Sequence, residues 1–409
     1  MKKKISDIKQ DILTVIDRGE SLSMMEPLLL SENSPHRNRL ADLAIQLAAK
    51  STGFKRSLPS AIQVSLANMV RAMNCYYSNL IEGHDIHPIA IEQALHGHYS
   101  SDIKKRNLQL EAKAHIAVQE WIDQGGIKNK AFSRESLCEI HKRFCSLLPA
   151  DLLWVEDSYS EKKVQVLPGQ FRQCDVKVGN HIPISPGAIS RFLLRFETVY
   201  SQLTISETIL SLAAAHHQLL WIHPFMDGNG RVARLMSHAT ILDLLDTGGI
   251  WSIARGLARN ANEYKMHLAN CDLSRRNDLD GRGALSEEAL AAFTEFLLKI
   301  CIDQIDFMEK LMQPDLLRTR ILLWAQEESQ LGNLSSQSIP ILEAILYRGE
   351  ISRGEIANLL NITDRHARRL TSVLIDKGIL VSNSPRSPLR LAFPATLASR
   401  WMPGLFPPA

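Results

Sequence analysis

The sequence predicts a mainly α protein with a short β-hairpin inserted among its helices and a C-terminal winged helix. Three observations predict it. Apolar residues recur at spacings of three and four through most of the 409 residues. Strand-like alternation with clustered Gly and Pro is confined to 163–186. After Gln313-Pro314 the pattern changes to three helical stretches and a strand-like pair near 379–393.

Each element follows from its own residues. Over 58–82, Ile62, Leu66, Met69, Val70 and Met73 share one helical face, and Gly83 supplies a C-cap. Ile209, Leu212, Ala213, His216 and Leu220 do the same over 208–221. Val232, Leu235, Met236, Ala239 and Leu242 follow over 230–246, stopped by Gly248-Gly249. Ser286, with Glu287 and Glu288 in the first turn, opens a long helix over 286–312. Past the break near 313, Ile356, Leu359 and Leu360 suit one helix, and Asn361-Ile362 a turn. Thr363 caps a second helix carrying Arg365, His366, Arg368, Arg369, Leu370, Val373 and Leu374. Gly378 ends it, and Leu380–Phe393 make a wing with Arg386 and Arg390.

Composition narrows the function classes. Hydrophobic residues at 45% and charged residues at 22% are ordinary for a globular chain, which excludes collagenous and disordered classes. The net charge of +3 gives no pointer to nucleic acid by itself. Six scattered cysteines form no CxxC or zinc-spaced cluster, so reduced thiols and a cytoplasmic location are expected. The opening MKKKISDIKQDILTVIDRGE starts like a secretory leader, but Asp7, Lys9, Asp11, Asp17 and Arg18 interrupt any apolar stretch. No run of about 18 apolar residues exists, so no membrane span is expected.

The informative stretch is His223-Pro224-Phe225-Met226-Asp227-Gly228-Asn229-Gly230-Arg231-Val232-Ala233-Arg234, lying between two amphipathic helices. Gly228 and Gly230 permit turns that let backbone N–H groups meet an anion at the start of the second helix. Arg231 and Arg234 are three apart, on nearly one face, and both reach phosphates held there. Asp227 adds a hard oxygen ligand of the kind a magnesium–phosphate complex takes. His223, with an ordinary pKa of ~6.5, is suited to general-base work, and Pro224 after it favours an extended backbone at His223. Singly, a His before Pro, a Gly-Asn-Gly or an Asp beside Gly is usually a turn or a surface feature. Together at this spacing they point to phosphate chemistry.

HPFMDGNGRVAR resembles the Fic signature HPFx(D/E)GNGRxxR at every defined position. The resemblance implies a Fic core over 110–312, after an N-terminal helical region over 1–109, with the winged-helix domain at 313–409. It implies transfer of AMP from ATP to a Tyr, Ser or Thr hydroxyl of a target protein. His223 would be the base and Asp227 the Mg²⁺ ligand. Gly228, Asn229 and Gly230 would hold the α- and β-phosphates, Arg231 the β-phosphate and Arg234 the γ-phosphate, with Phe225 a packing anchor. The Doc-type kinase branch has Lys where this chain has Gly230, which favours AMP transfer.

Three further stretches fit that resemblance. Phe171–Ile182 would be a flap that holds the target by strand addition, although an ordinary surface hairpin reads the same way. Residues 256–268 would be one helix lining the adenine pocket through Tyr264 and Asn262, although a core tyrosine reads equally well. The expected Gly-Asp-Leu-Thr/Ser segment is replaced by Asp278-Leu279-Asp280-Gly281. Ser78-Asn79-Leu80-Ile81-Glu82-Gly83 matches the family's inhibitory pattern (S/T)xxxE(G/N). That match implies an inhibitory helix over about 58–83, with Glu82 paired to Arg234 and Ser78 steadying it. In some family members this glutamate supports AMP removal, so deadenylylation is an alternative activity. A third reading is a DNA-binding regulator with a Fic core. Residues 351–393 hold seven Lys+Arg against three Asp+Glu, which suits DNA contacts from Arg365, Arg368 and Arg369, or equally a solvated helix face. A second copy of the chain completes the partners considered, with no membrane.

Overall fold

A computed structural model describes residues 15–156 and 163–407. The first six residues of the leader-like opening weighed above, and Asp7, Lys9 and Asp11, lie outside the described residues. Among the described residues no helix is long and apolar enough to cross a membrane.

Helices dominate, as the periodicity predicts. The N-terminal part holds α1 (Arg37–Ser57), α2 (Ser60–Ile81), α3 (Pro88–Leu95), α4 (Ile103–Asp123) and α5 (Arg134–Ser146). A two-stranded antiparallel pair follows, β1 (Trp154–Glu156) with β2 (Lys163–Gln165). Then come α6 (Ile189–Tyr200), α7 (Ile205–Ile222), α8 (Asn229–Leu245), α9 (Ile253–Arg259), α10 (Ala261–Cys271) and α11 (Glu287–Leu311). The C-terminal unit holds α12 (Pro314–Gln330), α13 (Ser338–Arg348), β3 (Glu350–Ile351), α14 (Glu355–Leu360), α15 (Asp364–Asp376), β4 (Leu380–Val381), β5 (Leu389–Leu391) and α16 (Ala398–Trp401). Its sheet runs β3-β5-β4, antiparallel throughout. Strand β3 was not expected: two residues are too few to show alternation.

Two expectations of organisation change. Helix α4 runs unbroken through 109–110, so no break separates an N-terminal region from the core there. The alternation over 163–186 does not form one hairpin. Only 163–165 pair as a strand, with 154–156 upstream, and 171–182 hold a single antiparallel bridge, Val178 to His181. Pro168, Pro183 and Pro186 remove ladder donors, and Gly169 and Gly179 weaken an extended run, which disfavours longer pairing.

The centre of the molecule is α7, α8 and α11. Helix α7 starts on a capping box, Thr204 with Glu207, and α11 on Ser286, whose hydroxyl accepts from the Ala289 N–H at 3.1 Å. Both α7 and α8 are buried around nearly their whole circumference, as central helices are. Helix α11 packs along α1, α7, α9 and α10. Glycine is required where α9 crosses α11: a Cβ on Gly256 would stand 2.4 Å from Ile300 Cγ2. Gly256→Ala is therefore expected to cost about 1–3 kcal/mol through overpacking, measured by urea unfolding at constant m-value. An unchanged midpoint would show that the α9–α11 contact yields.

Candidate functional site

The phosphate-type loop lies between α7 and α8. Gly228, at φ 80°, turns the chain into α8, and the Val232 N–H donates back to its carbonyl at 3.0 Å. Asn229 braces the loop: its Oδ1 accepts from the Phe225 N–H at 2.9 Å and its Nδ2 donates to the Phe225 carbonyl at 2.8 Å. Both side-chain atoms are thus engaged with Phe225, which fixes the Asn229 amide while its backbone N–H and second Nδ2 hydrogen are not used in these bonds. The Phe225 ring is fully buried and stacks on His141 of α5, centroids 4.0 Å apart and planes within 4°. The anchor role expected for Phe225 thus has a partner the sequence did not reveal.

His223 does not have the extended backbone expected before proline. It sits at φ 50°, ψ 63°, in the left-handed region. Helix α7 stays wound into it, since its N–H donates to Leu219 O at 3.1 Å. Arg172 then binds the carbonyls on either side of the bend, with Nε to His223 O at 2.8 Å and its N–H to Pro224 O at 2.9 Å. These tertiary bonds overcome a local preference of about 1–3 kcal/mol. The ring contacts the Leu220 carbonyl through Nδ1 at 3.3 Å. A carbonyl only accepts, so the proton sits on Nδ1 and the Nε2 lone pair is left free. Burial, and then the Arg172 cation, push the His223 pKa down to about 4. The ring is neutral at pH 7, as a base must be.

The positive end of α8 already meets a carboxylate. A Cβ on Gly230 would stand 2.3 Å from Glu82 Oε1, so the Glu82 carboxylate lies directly over this turn. Arg234, 3% exposed, donates Nε to Ser78 Oγ at 2.8 Å and Nη2 to Ser78 O at 3.2 Å and to Glu82 Oε1. Glu82 is placed by how α2 ends. Gly83, at φ 84°, donates to Leu80 O at 3.0 Å and His84 N–H to Asn79 O at 2.9 Å, a Schellman turn. A carboxylate at a helix C-terminus opposes the dipole, and Arg234 supplies the compensating charge. Burial raises the Glu82 pKa, but Arg234, with Arg231 and His84, outweighs it, and the net lies below the ordinary carboxylate value.

Arg231 has a second carboxylate that sequence reasoning missed. It donates to Glu111 of α4 at 3.0 Å, and its guanidinium lies 4.9 Å over the Phe144 ring. His84 Nδ1 donates to the same Glu111 oxygen at 2.8 Å, a contact that raises the His84 pKa. Glu111 had no legible signal, being one acid in the charged run KKRNLQLEAK. Asp227 is exposed at the loop and joins no ion pair among the described residues. No cluster of three metal-ligating side chains occurs among them. One free carboxylate fits magnesium, which takes its other oxygens from phosphates and water.

Residues 131–241 match the family model described as Fic/DOC family. That stretch is similar to the Fic domain. Proteins named "Protein adenylyltransferase Fic" are similar to this chain. That of Drosophila erecta is 27% identical over 223 residues, which is 52% of this chain and 42% of that protein. That of Culex quinquefasciatus is 28% identical over 224 residues, with the same coverage. The chain thus spans less than half the length of these relatives. The crystal structure of a Fic family protein from Desulfovibrio desulfuricans G20 has the same fold at TM-score 0.52 and 15% identity, covering 89% of this chain and 98% of that one. Fic-1 from C. elegans superposes at TM-score 0.50 and 17% identity, covering 68% and 74%.

The two residues expected to line an adenine pocket of the Fic domain do not share a face. The single helix expected over 256–268 breaks at Asn260, whose side chain turns back to the Gly256 carbonyl at 2.9 Å. Tyr264 is buried, its hydroxyl 2.7 Å from His216 Nε2, and His216 Nδ1 reaches Ser237 Oγ at 2.8 Å. Asn262, two residues earlier, is exposed, since ~200° of rotation separates them. In the flap stretch, His181 is tied to the Trp221 carbonyl at 2.8 Å, leaving Val178 and Ile182 exposed.

Glu82's depressed pKa makes its pairing a source of stability above the ordinary carboxylate value, lost as pH falls through the folded value. Glu82→Gln is therefore expected to lose about 1–2 kcal/mol at pH 7 without nucleotide. The figure stays low because the Glu82 side chain is 35% exposed. The gap should narrow as pH falls below the ordinary carboxylate value. Equal stability at pH 7 would remove the pair as a structural tie.

Proposed function

We propose that this chain is a Mg²⁺-dependent protein adenylyltransferase held down by Glu82. One observation carries the reading: a carboxylate lies at the N-terminus of α8, over Gly230 and on Arg234, in the place a nucleotide phosphate would take. The similar proteins named adenylyltransferases support the chemistry.

The step follows from the groups in place. A target hydroxyl gives its proton to His223 Nε2. Its oxygen bonds to the α-phosphorus, and the bond from that phosphorus to the pyrophosphate oxygen breaks in line. The N–H groups at Gly228–Gly230 and the guanidinium groups of Arg231 and Arg234 bind the phosphates and stabilise the charge that develops. Bound magnesium would neutralise charge across the α- and β-phosphates, with Asp227 as its protein ligand. The target would lie along 171–182, its backbone beside the exposed Val178 and Ile182. Glu82 blocks this by like-charge repulsion of the γ-phosphate and by holding the arginine that would bind it. Gly230 also argues against the kinase branch, since a lysine there would run into Glu82.

The test uses ATP labelled at the α- or γ-phosphate with the full chain as wild type, Glu82→Gly, His223→Ala and the double variant. Glu82→Gly is expected to place at least tenfold more α-label on protein than wild type, and His223→Ala to abolish it. Transfer of γ-label alone would make the protein a kinase. No transfer of either label would leave AMP removal or regulation as the activity. Because His223 loses its proton well below its usual range, the acid limb of the Glu82→Gly rate is expected nearer pH 4 than 6.5.

A second reading concerns the C-terminal unit, taken as a winged helix that binds DNA. Arg365, Arg368 and Arg369 all stand exposed on α15, the helix capped by Thr363. A DNA gel shift should weaken steeply between 50 and 200 mM salt and vanish with Arg368→Ala/Arg369→Ala. A shift that survives the double change would assign the contact to another surface.

A further inference from the structure

Arg172 has no place in the phosphate chemistry, yet it is the most heavily engaged cation beside the loop. It is 2% exposed. Among the described residues its hydrogen-bond partners are all main-chain carbonyls. Nε donates to His223 O, Nη2 to Ile222 O at 3.5 Å and to Ile184 O, Nη1 to Cys174 O at 3.0 Å, and its own N–H to Pro224 O. Asp175, the nearest acid in sequence, pairs with Arg18 at 2.8 Å. Burying a guanidinium among neutral oxygens is costly, and burial pushes its pKa down to about 10, still charged at pH 7.

The identity of those carbonyls explains the arrangement. Ile222 and His223 carry orphan carbonyls at the C-terminus of α7, where the helix dipole is negative and a cation is stabilised. Cys174 and Ile184 bracket residues 175–183, which hold most of the flap stretch. Arg172 therefore joins both ends of that segment to three consecutive residues, Ile222 and His223 through its guanidinium and Pro224 through its backbone N–H, with the left-handed His223 in the middle.

We propose that Arg172 is a positioning residue that holds the His223 backbone in its left-handed bend and locks the flap to it, so that base and target strand are placed as one unit. The activity arm of its test rests on the adenylylation reading, while the other arms do not. A lysine cannot reproduce the fork, because one ammonium has three donors and no planar spread. A methionine of similar length removes both fork and charge.

Arg172→Met and Arg172→Lys would be made in the full-length Glu82→Gly chain, with thermal unfolding to confirm that each folds cooperatively. Hydrogen exchange over 173–182 is expected to rise more than about tenfold in Arg172→Met while amides of α11 stay protected. Histidine NMR reads the titration of His223. The groups facing it are Arg172 and His181 from the flap side, Glu82 from α2 and the Leu220 carbonyl of its own helix. Glu82 is absent from every form compared. Removing the Arg172 cation is expected to move His223 titration to higher pH, and Arg172→Lys to leave it near the parent. At saturating ATP, transfer by Arg172→Met should fall about a hundredfold with KM for ATP changed by less than about twofold, and Arg172→Lys should recover about tenfold.

Unchanged flap exchange together with unchanged His223 titration would overturn the proposal. A matched loss of ATP binding and transfer would also overturn it, making Arg172 general support of the loop. If the Glu82→Gly parent transfers no label, adenylylation fails, and the exchange and titration arms still decide Arg172.

Discussion

The positive end of α8 meets the Glu82 carboxylate, and the charged groups around it are arranged about that contact. Two guanidinium groups lead away from it, Arg231 and Arg234, and both are buried. Buried cations left unpaired are expensive, so the ligand-free protein has to provide its own anions. It does so with Glu111 for Arg231 and Glu82 for Arg234. Each buried guanidinium beside the α8 N-terminus is thus neutralised by a carboxylate from another helix of the same chain.

The helix that carries Glu82 is held on two sides. On one, a polar network crosses from α2 to α4 and α8: Arg71 and His238 share Asp123, at 2.9 and 2.7 Å, and Asn74 donates to Gln119 at 2.6 Å. On the other, the C-terminal tail lies against the turn before Ser78. The Tyr77 hydroxyl donates to Leu405 O at 2.9 Å, and Phe406 contacts both Tyr76 and Tyr77. The C-terminal unit thus touches the helix that carries Glu82 at its end, although its own basic helix, α15, is a separate exposed surface. Buried polar networks fix a single arrangement more strictly than apolar contacts do, which suits a helix whose last turn must aim one carboxylate.

Much of this was legible in the sequence, for identifiable reasons. Long helices were visible because 3.6-residue periodicity repeats over many turns, and α2, α7, α8 and α11 lie within two or three residues of the expected spans. The loop from His223 to Arg234 was legible because its chemistry is contiguous. Glu82 was legible through Ser78 and Gly83, which flank it in sequence. Arg172, Glu111, His84 and His141 were not, since each meets the site from another element and alone resembles a surface or core residue. The backbone at His223 was misjudged because the preference imposed by Pro224 is local and weaker than two bonds from Arg172. Tyr264 and Asn262 were grouped by proximity in sequence, which a helix separates.

The two carboxylates do not bind their arginines in equivalent ways. Glu111 sits within α4, and its oxygen is shared by Arg231 and His84, so its withdrawal would leave both without that acceptor. Glu82 is the C-cap of α2, beyond the last helical hydrogen-bonded turn, where rotamer changes do not meet a following turn of helix. Arg234 also keeps two bonds to Ser78 that do not involve Glu82. Rotation of the Glu82 side chain alone would part it from Arg234 and leave the two bonds to Ser78 in place, with the guanidinium still beside the α8 N-terminus. Ser78 therefore fixes Arg234 independently of Glu82, and α2 need not move for the ion pair to part.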